Sequence, residues 1–171
     1  MKFFIAGIHA VGKTYLCRDY ALNNSCVHKS ASELIREYKD KTWKDSKLTS
    51  EIDSNQEVLI QALEAFTNEN ANDLLLDGHF VLLDEHGKFK SIAPSIFIRM
   101  NINGVILIED DKEVISKRLI ERGVNQVEYD INEFACLERQ HAEKISNMLG
   151  VKLIKLQSPS CEDFSKAIKS I

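Results

Sequence analysis

The sequence predicts an α/β fold: three layers, with a five-stranded parallel sheet flanked by helices. Three observations carry that expectation. Short apolar runs (Phe3-Phe4-Ile5-Ala6, Leu74-Leu75-Leu76 and Val105-Ile106-Leu107-Ile108) read as strands buried on both faces. Segments of helical period separate them. The stretch Gly7-Ile8-His9-Ala10-Val11-Gly12-Lys13-Thr14 stands between the first strand and the first helix. It reads G-x-x-x-x-G-K-T, the P-loop pattern, in the strand–loop–helix setting that the pattern requires.

The physics of that stretch is specific. Two glycines let the backbone fold tightly, so that successive N–H groups converge on phosphate oxygens. The following helix, read from Tyr15 to Leu22, adds the positive potential of its N-terminus. Lys13 reaches the β- and γ-phosphates, and Thr14 offers a hydroxyl to Mg²⁺. The expected cofactors are therefore ATP and Mg²⁺.

The chain has 171 residues, enough for one domain with a sizeable core. Apolar residues make up 44% and charged residues 28%, as in ordinary globular proteins. A net charge of -4 argues against a general nucleic-acid binder but leaves room for a local basic cleft that takes nucleic acid. Cys17, Cys26, Cys136 and Cys161 are scattered without a C-x-x-C pair, so they read as reduced thiols rather than a disulfide frame or zinc site. No apolar run approaches the roughly 18 residues of a membrane span, and the first strand begins at once, without a signal peptide. The expectation is a cytoplasmic monomer or homodimer that binds a nucleotide or small-molecule acceptor and no membrane.

Taken in order, Cys26-Val27-His28 reads as a short second strand. Ser30 and Glu33 have capping-box spacing ahead of a helix to about Tyr38. Residues 39–49 read as a polar loop or cover. Trp43 within it is either an aromatic pin on the core or a stacking surface for a base. Ser50 and Asp53 repeat the capping spacing before a helix to about Asn70, with Val58, Leu59, Ala62, Leu63, Ala65 and Phe66 as its core stripe. After the leucine strand come Asp77-Gly78-His79, a run Phe80-Val81-Leu82-Leu83 that extends the strand or turns away, a turn at residues 85–88, and a short helix near residues 95–100. The strand Gly104 to Glu109 leads to a helix capped by Asp110 and ended by Gly123. Residues 124–132 read as a polar loop, followed by a helix from about Glu133 to Leu149 that Gly150 terminates. A last strand, residues 151–156, precedes a helix begun by Ser158-Pro159.

Ligands of such sheets bind at the carboxyl ends of the strands, where both Gly7 and Asp77 fall. Asp77 is positioned to orient a magnesium-bound water; as Asp before Gly it also suits a turn. His79 is either a site residue or a satisfied structural histidine. Arg118 and Arg122 share a helix face, and Arg139 lies beyond the loop that follows. Such a loop can fold over ATP and bring the arginines to the transferred phosphoryl, or the arginines form a solvated face paired with Glu121 and Glu138.

With these pieces in order, the chain resembles the small nucleoside-monophosphate kinases, closest to the archaeal-type adenylate kinases, over nearly its whole length. Gly7 to Thr14 match the phosphate loop. Ser30-Ala31-Ser32-Glu33-Leu34-Ile35-Arg36 resembles the segment whose arginine grips the acceptor monophosphate. Asp77-Gly78-His79-Phe80 resembles the strand-end D-x-H or D-G-F motif, and residues 117–122 resemble the helix into the lid. The resemblance implies a P-loop NTPase fold with an acceptor-binding insert at about 30–72 and a lid at about 123–132. It implies nucleotide contacts from Gly7 through Tyr15 and from Arg118, and catalytic roles for Lys13, Asp77, Arg118 and Arg122. It also implies metal contacts from Thr14 and Asp77, and acceptor contacts from Arg36 and Arg139, with His79 beside them. The chain departs from the family where no arginine follows His79-Phe80 and none lies in the lid loop, and in His9 within the phosphate loop.

The expected function is transfer of the γ-phosphoryl of ATP to a nucleotide-like acceptor. Two alternatives stay open. One is a kinase of a hydroxyl acceptor (a nucleoside, a small metabolite or an RNA end), which needs a carboxylate near the acceptor oxygen, with Glu33 as candidate. The other is a nucleotide-binding regulator without an acceptor; no N-K-x-D segment for guanine is present.

Overall fold

The computed structural model describes residues 1–42, 52–124, 127 and 129–171, excluding the side chains of Thr42 and Asp53. In chain order the elements are β1 (Lys2–Ala6), α1 (Lys13–Asn23), β2 (Cys26–Ser30), α2 (Ala31–Thr42), α3 (Ile52–Glu69), β3 (Asp73–Asp77), β4 (Val81–Leu83), β5 (Phe89–Ser91), α4 (Pro94–Met100), β6 (Gly104–Glu109), α5 (Lys112–Glu121), α6 (Ile131–Leu149), β7 (Lys152–Gln157) and α7 (Cys161–Lys169).

Five strands pair in parallel in the order β2–β3–β1–β6–β7. The expected sheet is thus present, with helices on both sides. From β1 the chain crosses two places toward β2, whereas each later crossover within the sheet moves the other way. Right-handed crossovers then set α1 on one face and α3, α4 and α6 on the other. The last helix, α7, joins α1, where Tyr20 meets Phe164 edge-on at 6.1 Å. On the opposite face Phe4 packs edge-on against Phe80 and Phe97, at 5.0 and 5.5 Å. The central strands are apolar throughout because both faces are covered; Phe3, Phe4, Ile5, Leu74, Leu75, Leu76 and Val105 through Ile108 are all buried.

Several boundaries differ from the sequence expectation. The chain after Asp77 leaves the sheet, and β4 and β5 form a separate antiparallel hairpin, Val81 opposite Ser91. Helix α2 continues through Thr42 because Lys39, expected in a loop, is buried and donates to Asn55 Oδ1 of α3 at 2.7 Å. Asp111, not Asp110, is the N-cap residue of α5; Asp110 is committed to Arg118 and to the Ser158 hydroxyl. Helix α6 starts two residues early because Asp130 accepts from the N–H groups of Asn132 and Glu133. The last helix starts after Ser160, which forms a reciprocal capping box with Asp163, rather than at Ser158-Pro159. The expected box at Ser30 and Glu33 is present, in both directions. Trp43, Ser50 and most of the expected cover at residues 39–49 lie outside the described residues, as does the Asp53 side chain. Among the described residues no helix is long and apolar enough to cross a membrane.

The register sets the site. Asp77 stands opposite Ile5 of β1 and Ser30 of β2, so three strands end level. The loop after β1, the end of β3 and the start of α2 therefore meet at one edge of the sheet.

Candidate active site

After Ala6 the chain turns back over the end of its own strand. Gly7 has φ +141°, and a Cβ there would lie 2.3 Å from the Ile108 carbonyl oxygen, which excludes a side chain. Gly12, at φ +99°, ends the loop as the N-cap of α1 and brings no side-chain cap. The first N–H groups of α1 therefore remain available to an anion. Lys13 is buried and folds back along the loop, donating to the carbonyls of Gly7 at 2.6 Å and Ile8 at 3.2 Å. Burial lowers its proton affinity, and the carboxylates of Asp77 and Glu138 oppose that shift.

Asp77, the last residue of β3, faces this loop. Its Oδ2 accepts from the Thr14 hydroxyl at 2.8 Å, and its Oδ1 lies 3.8 Å from Lys13 Nζ. His28 Nε2 approaches Oδ2 at 3.7 Å, beyond hydrogen-bond length. Burial pushes the Asp77 carboxyl up, but His28, the Lys13 ammonium and the Thr14 hydroxyl together bring it below the ordinary value. Asp77 is thus held as a carboxylate. A hydroxyl and a carboxylate side by side at the phosphate loop are the hard oxygen donors that Mg²⁺ prefers. Among the described residues no group of three or more His, Cys, Asp or Glu could cage a metal alone, so a metal here would draw its remaining ligands from phosphate and water.

Beyond Asp77, His79 lies against His9 of the loop (ring centroids 4.5 Å apart) and parallel to Phe134 of α6 (6.4 Å, 21°). Its Nδ1 is buried and, among the described residues, has no hydrogen-bond partner. Burial, followed by the charges of Lys13 and His9, holds His79 well below the ordinary imidazole range, so it is neutral. His9 is lowered too, by enclosure and then by Lys13 and Arg122.

A cleft of about 520 Å³ opens from this edge. Residues 9–15 of the loop, Asp77, Gly78, His79 and Arg122 form its polar end. Phe4, Ile35, Leu59, Leu82, Ile92 and Met100 wall the remainder, with Ser30, Ser32, Asn55 and Gln56 interspersed.

The structure brings Lys13, Thr14, Tyr15, Asp77, His79 and Arg122 to this cleft, but not every residue singled out in the sequence. Arg118 lies against the loop and outside the cleft lining, donating to the Ala10 carbonyl at 3.0 Å and to Asp110 Oδ2 at 2.7 Å. Arg139 pairs with Glu109 and lines a separate cavity of about 360 Å³. Arg36 is exposed and is not part of the cleft wall. Glu33 spends Oε2 on the Ser30 N–H and is likewise outside the wall; that cap holds its carboxyl below the ordinary value despite some burial.

Two residues at the centre were not anticipated. Glu138, which one of the two readings of the arginines puts on a solvated face, is 1% exposed; its carboxylate accepts from the N–H groups of Gly7, Phe80 and Val81 at 3.1, 2.9 and 2.7 Å. The sequence held a signal: Glu138 falls on the helical stripe Phe134–Ala142–Ile145, where a charge is out of place. His28 gave none beyond its place in a short strand.

The site and the sheet together define a P-loop protein with a kinase-like fold. A sequence profile of the AAA domain family matches residues 6–134, and the chain belongs to that family. Solved structures agree on the fold. A shikimate kinase from Acinetobacter baumannii, in complex with shikimate, superposes with a TM-score of 0.59 at 14% identity, covering 99% of this chain and 90% of that one. A sugar kinase from Janibacter sp. HTCC2649 gives 0.55 at 13%, covering 99% and 92%. A shikimate kinase from Aquifex aeolicus gives 0.53 at 14%, covering 99% and 94%. No curated protein matches the sequence significantly.

Proposed function

We propose that this chain is an ATP-dependent phosphotransferase that moves the γ-phosphoryl of ATP to a small acceptor bound in the cleft. The observation that carries the reading is the convergence of three groups at one end of that cleft: the open N-terminus of α1, the buried Lys13 ammonium and the Thr14–Asp77 pair. Phosphoryl transfer asks the protein mainly for positioned phosphates and complementary charge. Backbone N–H groups of the loop and α1 bind the phosphates, and Lys13 turns from its carbonyls to the β- and γ-phosphates. Thr14 would hold Mg²⁺ through its hydroxyl and Asp77 would orient a metal-bound water; an ion held there would supply positive charge to offset that of the phosphates. Arg122 stands over the same end and meets the transferred phosphoryl when residues 123–132 close as a lid. Arg118 steadies the loop through the Ala10 carbonyl.

Residues 30–72 supply the acceptor side in this reading. The archaeal adenylate-kinase resemblance favours a nucleoside monophosphate. One observation favours the hydroxyl-acceptor reading instead, although Glu33, its candidate base, lies off the cleft: Arg36 is off the cleft too, and the lining beyond the phosphate loop is apolar side chains with amides and hydroxyls between them. That lining suits an apolar ring carrying a hydroxyl better than a dianion. His79, neutral and with Nδ1 unpartnered, is at hand for its proton. The similarity to a shikimate kinase holding shikimate is in keeping with a small-molecule acceptor.

A screen with γ-labelled ATP and Mg²⁺ against nucleoside monophosphates, nucleosides, small polyols and RNA ends tests the proposal. Label on a monophosphate supports the adenylate-kinase-like form, and label on a hydroxyl the other. Release of phosphate to water alone, whatever the acceptor, removes the kinase reading.

A further inference from the structure

We propose that Glu138 is a positioning residue: its buried carboxylate ties the phosphate loop to the turn after Asp77, and places both under the control of the helix that follows residues 122–130. The inference rests on the phosphate-binding reading above and assigns to it a residue that touches no substrate.

A carboxylate at a core position of a helix is costly unless its charge and lone pairs are met. Here they are met by main-chain donors from two segments far apart in sequence: Gly7 at 3.1 Å, Phe80 at 2.9 Å and Val81 at 2.7 Å. Three N–H groups converging on one point need an acceptor with two oxygens; an apolar residue would leave all three orphaned. Charge-assisted bonds of this kind are about twice as strong as neutral ones.

What these bonds hold decides their use. Gly7 is the first residue of the loop, and it is gripped from two sides: Glu138 takes its N–H, and Lys13 Nζ donates to its carbonyl at 2.6 Å. Rotation of that peptide would move the loop's first turn and the resting place of the lysine together. Phe80 and Val81 follow Gly78-His79 directly, so the same carboxylate anchors the far side of the Asp77 turn. Helix α6 grips this segment twice more along the same face. Phe134, one turn earlier, stacks on His79, and His141 meets Phe80 edge-on at 6.0 Å. Because the carboxylate is carried by α6 and bonds Gly7 directly, a displacement of α6 reaches Gly7 through Glu138.

Amide exchange and kinetics on the full chain test this, with Glu138→Gln and Glu138→Asp. Gln keeps the shape but loses the charge and one acceptor; Asp keeps the charge but withdraws it by one methylene. Without any nucleotide, exchange at Gly7, Phe80 and Val81 should quicken at least tenfold in either variant, while β6 and β7 keep wild-type protection. In turnover assays kcat should fall about 10- to 100-fold, the scale of a small misplacement of reacting groups, with the Kd for ATP changed less than about threefold. Should a variant not fold, the wild-type protein still decides the matter: its Gly7, Phe80 and Val81 amides should exchange through one common opening. Unrelated rates at the three amides overturn the proposal. So do wild-type exchange and kcat in the variants, or loss of protection spread evenly over the chain, which would make Glu138 a general core residue. The exchange arm needs no ATP, so failure of the phosphotransfer reading shows separately, as a wild-type protein that binds no nucleotide.

Discussion

The Thr14 hydroxyl donates to the Asp77 carboxylate at 2.8 Å, although the two residues are 63 positions apart in the chain. The contact exists because β1 and β3 are neighbours in register, Ile5 opposite Asp77, and the loop after β1 swings its last residues over that end. A serviceable metal site needs both oxygens, one to ligate and one to orient water. Asp77→Asn keeps the shape and removes the charge. Turnover should fall by roughly 10²-fold or more, on the scale of one lost electrostatic contact in a transition state. Nucleotide binding without Mg²⁺ should hold or improve, since a buried negative charge beside the phosphates is gone. Parallel titrations of ATP with and without Mg²⁺ separate the two effects; full magnesium-dependent turnover in the variant would leave Asp77 as a turn residue.

Lys13 is the second test. It is buried, yet its partners are two loop carbonyls and a carboxylate rather than core side chains. Lys13→Ala should therefore fold, with some loss of order in the loop, while ATP binding weakens and transfer is lost. Calorimetry of ATP binding and a thermal melt, run on both proteins, check this. Equal affinity and turnover in the variant would contradict it.

Much of this arrangement is legible in the sequence, and the reasons are local. The phosphate loop declares itself because its glycines, lysine and threonine have fixed spacing and a strand before them. The central strands are uninterrupted apolar runs because both faces of the sheet are covered. What the sequence hides is long-range. Nothing near Glu138 says that Gly7 and Val81 will bring their N–H groups to it. Nothing near Arg139 says that Glu109, 30 residues earlier, will take its charge. Spacing pairs Arg118 with Arg122 on one helix face, but its bond to the Ala10 carbonyl follows from how α5 passes the loop, which spacing does not give. The hairpin β4–β5 was ambiguous for another reason: Phe80-Val81-Leu82-Leu83 is apolar enough to prolong β3, and only the turn at Gly78-His79, held by Glu138, diverts it.

The pH dependence of stability offers a third test, on His79. Burial and the Lys13 charge keep its pKa in the folded protein well below the ordinary value. In the unfolded chain it titrates near about 6.5. Between those two values the unfolded state holds a proton that the folded state refuses, so stability falls as pH drops below about 6.5. At pH 5.5 the loss from this one group is bounded at about 1.4 kcal/mol, one pH unit's worth. His9 and His141 are lowered in the same sense, and Glu138 is raised by burial, which acts in the opposite sense at lower pH. All three remain in His79→Gln, so comparison isolates His79. Urea melts at pH 7.5 and 5.5 should show a smaller drop in the variant than in the wild type. Equal drops would mean that His79 does not carry the effect.

The last prediction concerns Arg122. Arg118 and Arg139 are committed to carboxylates and, for Arg118, to a loop carbonyl. Arg122 makes no side-chain hydrogen bond or ion pair among the described residues, is exposed, and lines the polar end of the cleft. It closes α5, with its N–H bonded to the carbonyls of Arg118 and Leu119, and Gly123 follows at φ +85°. Its guanidinium is thus the one of the three with both freedom to move and a phosphate site within its field, which already lowers His9. A contact completed only when residues 123–132 close would be worth more in the transition state than in the ATP complex. Arg122→Ala should therefore lower kcat by about 10- to 100-fold and weaken ATP binding by less. Arg122→Lys should rescue little, because an ammonium cannot make the bidentate contact of a guanidinium with a phosphoryl group. Hydrogen exchange at residue 124 and at 129–132 should slow when ATP, Mg²⁺ and acceptor are all present, and slow less in the alanine variant. Wild-type kinetics in Arg122→Ala together with ligand-independent exchange would return Arg122 to the solvated face of α5.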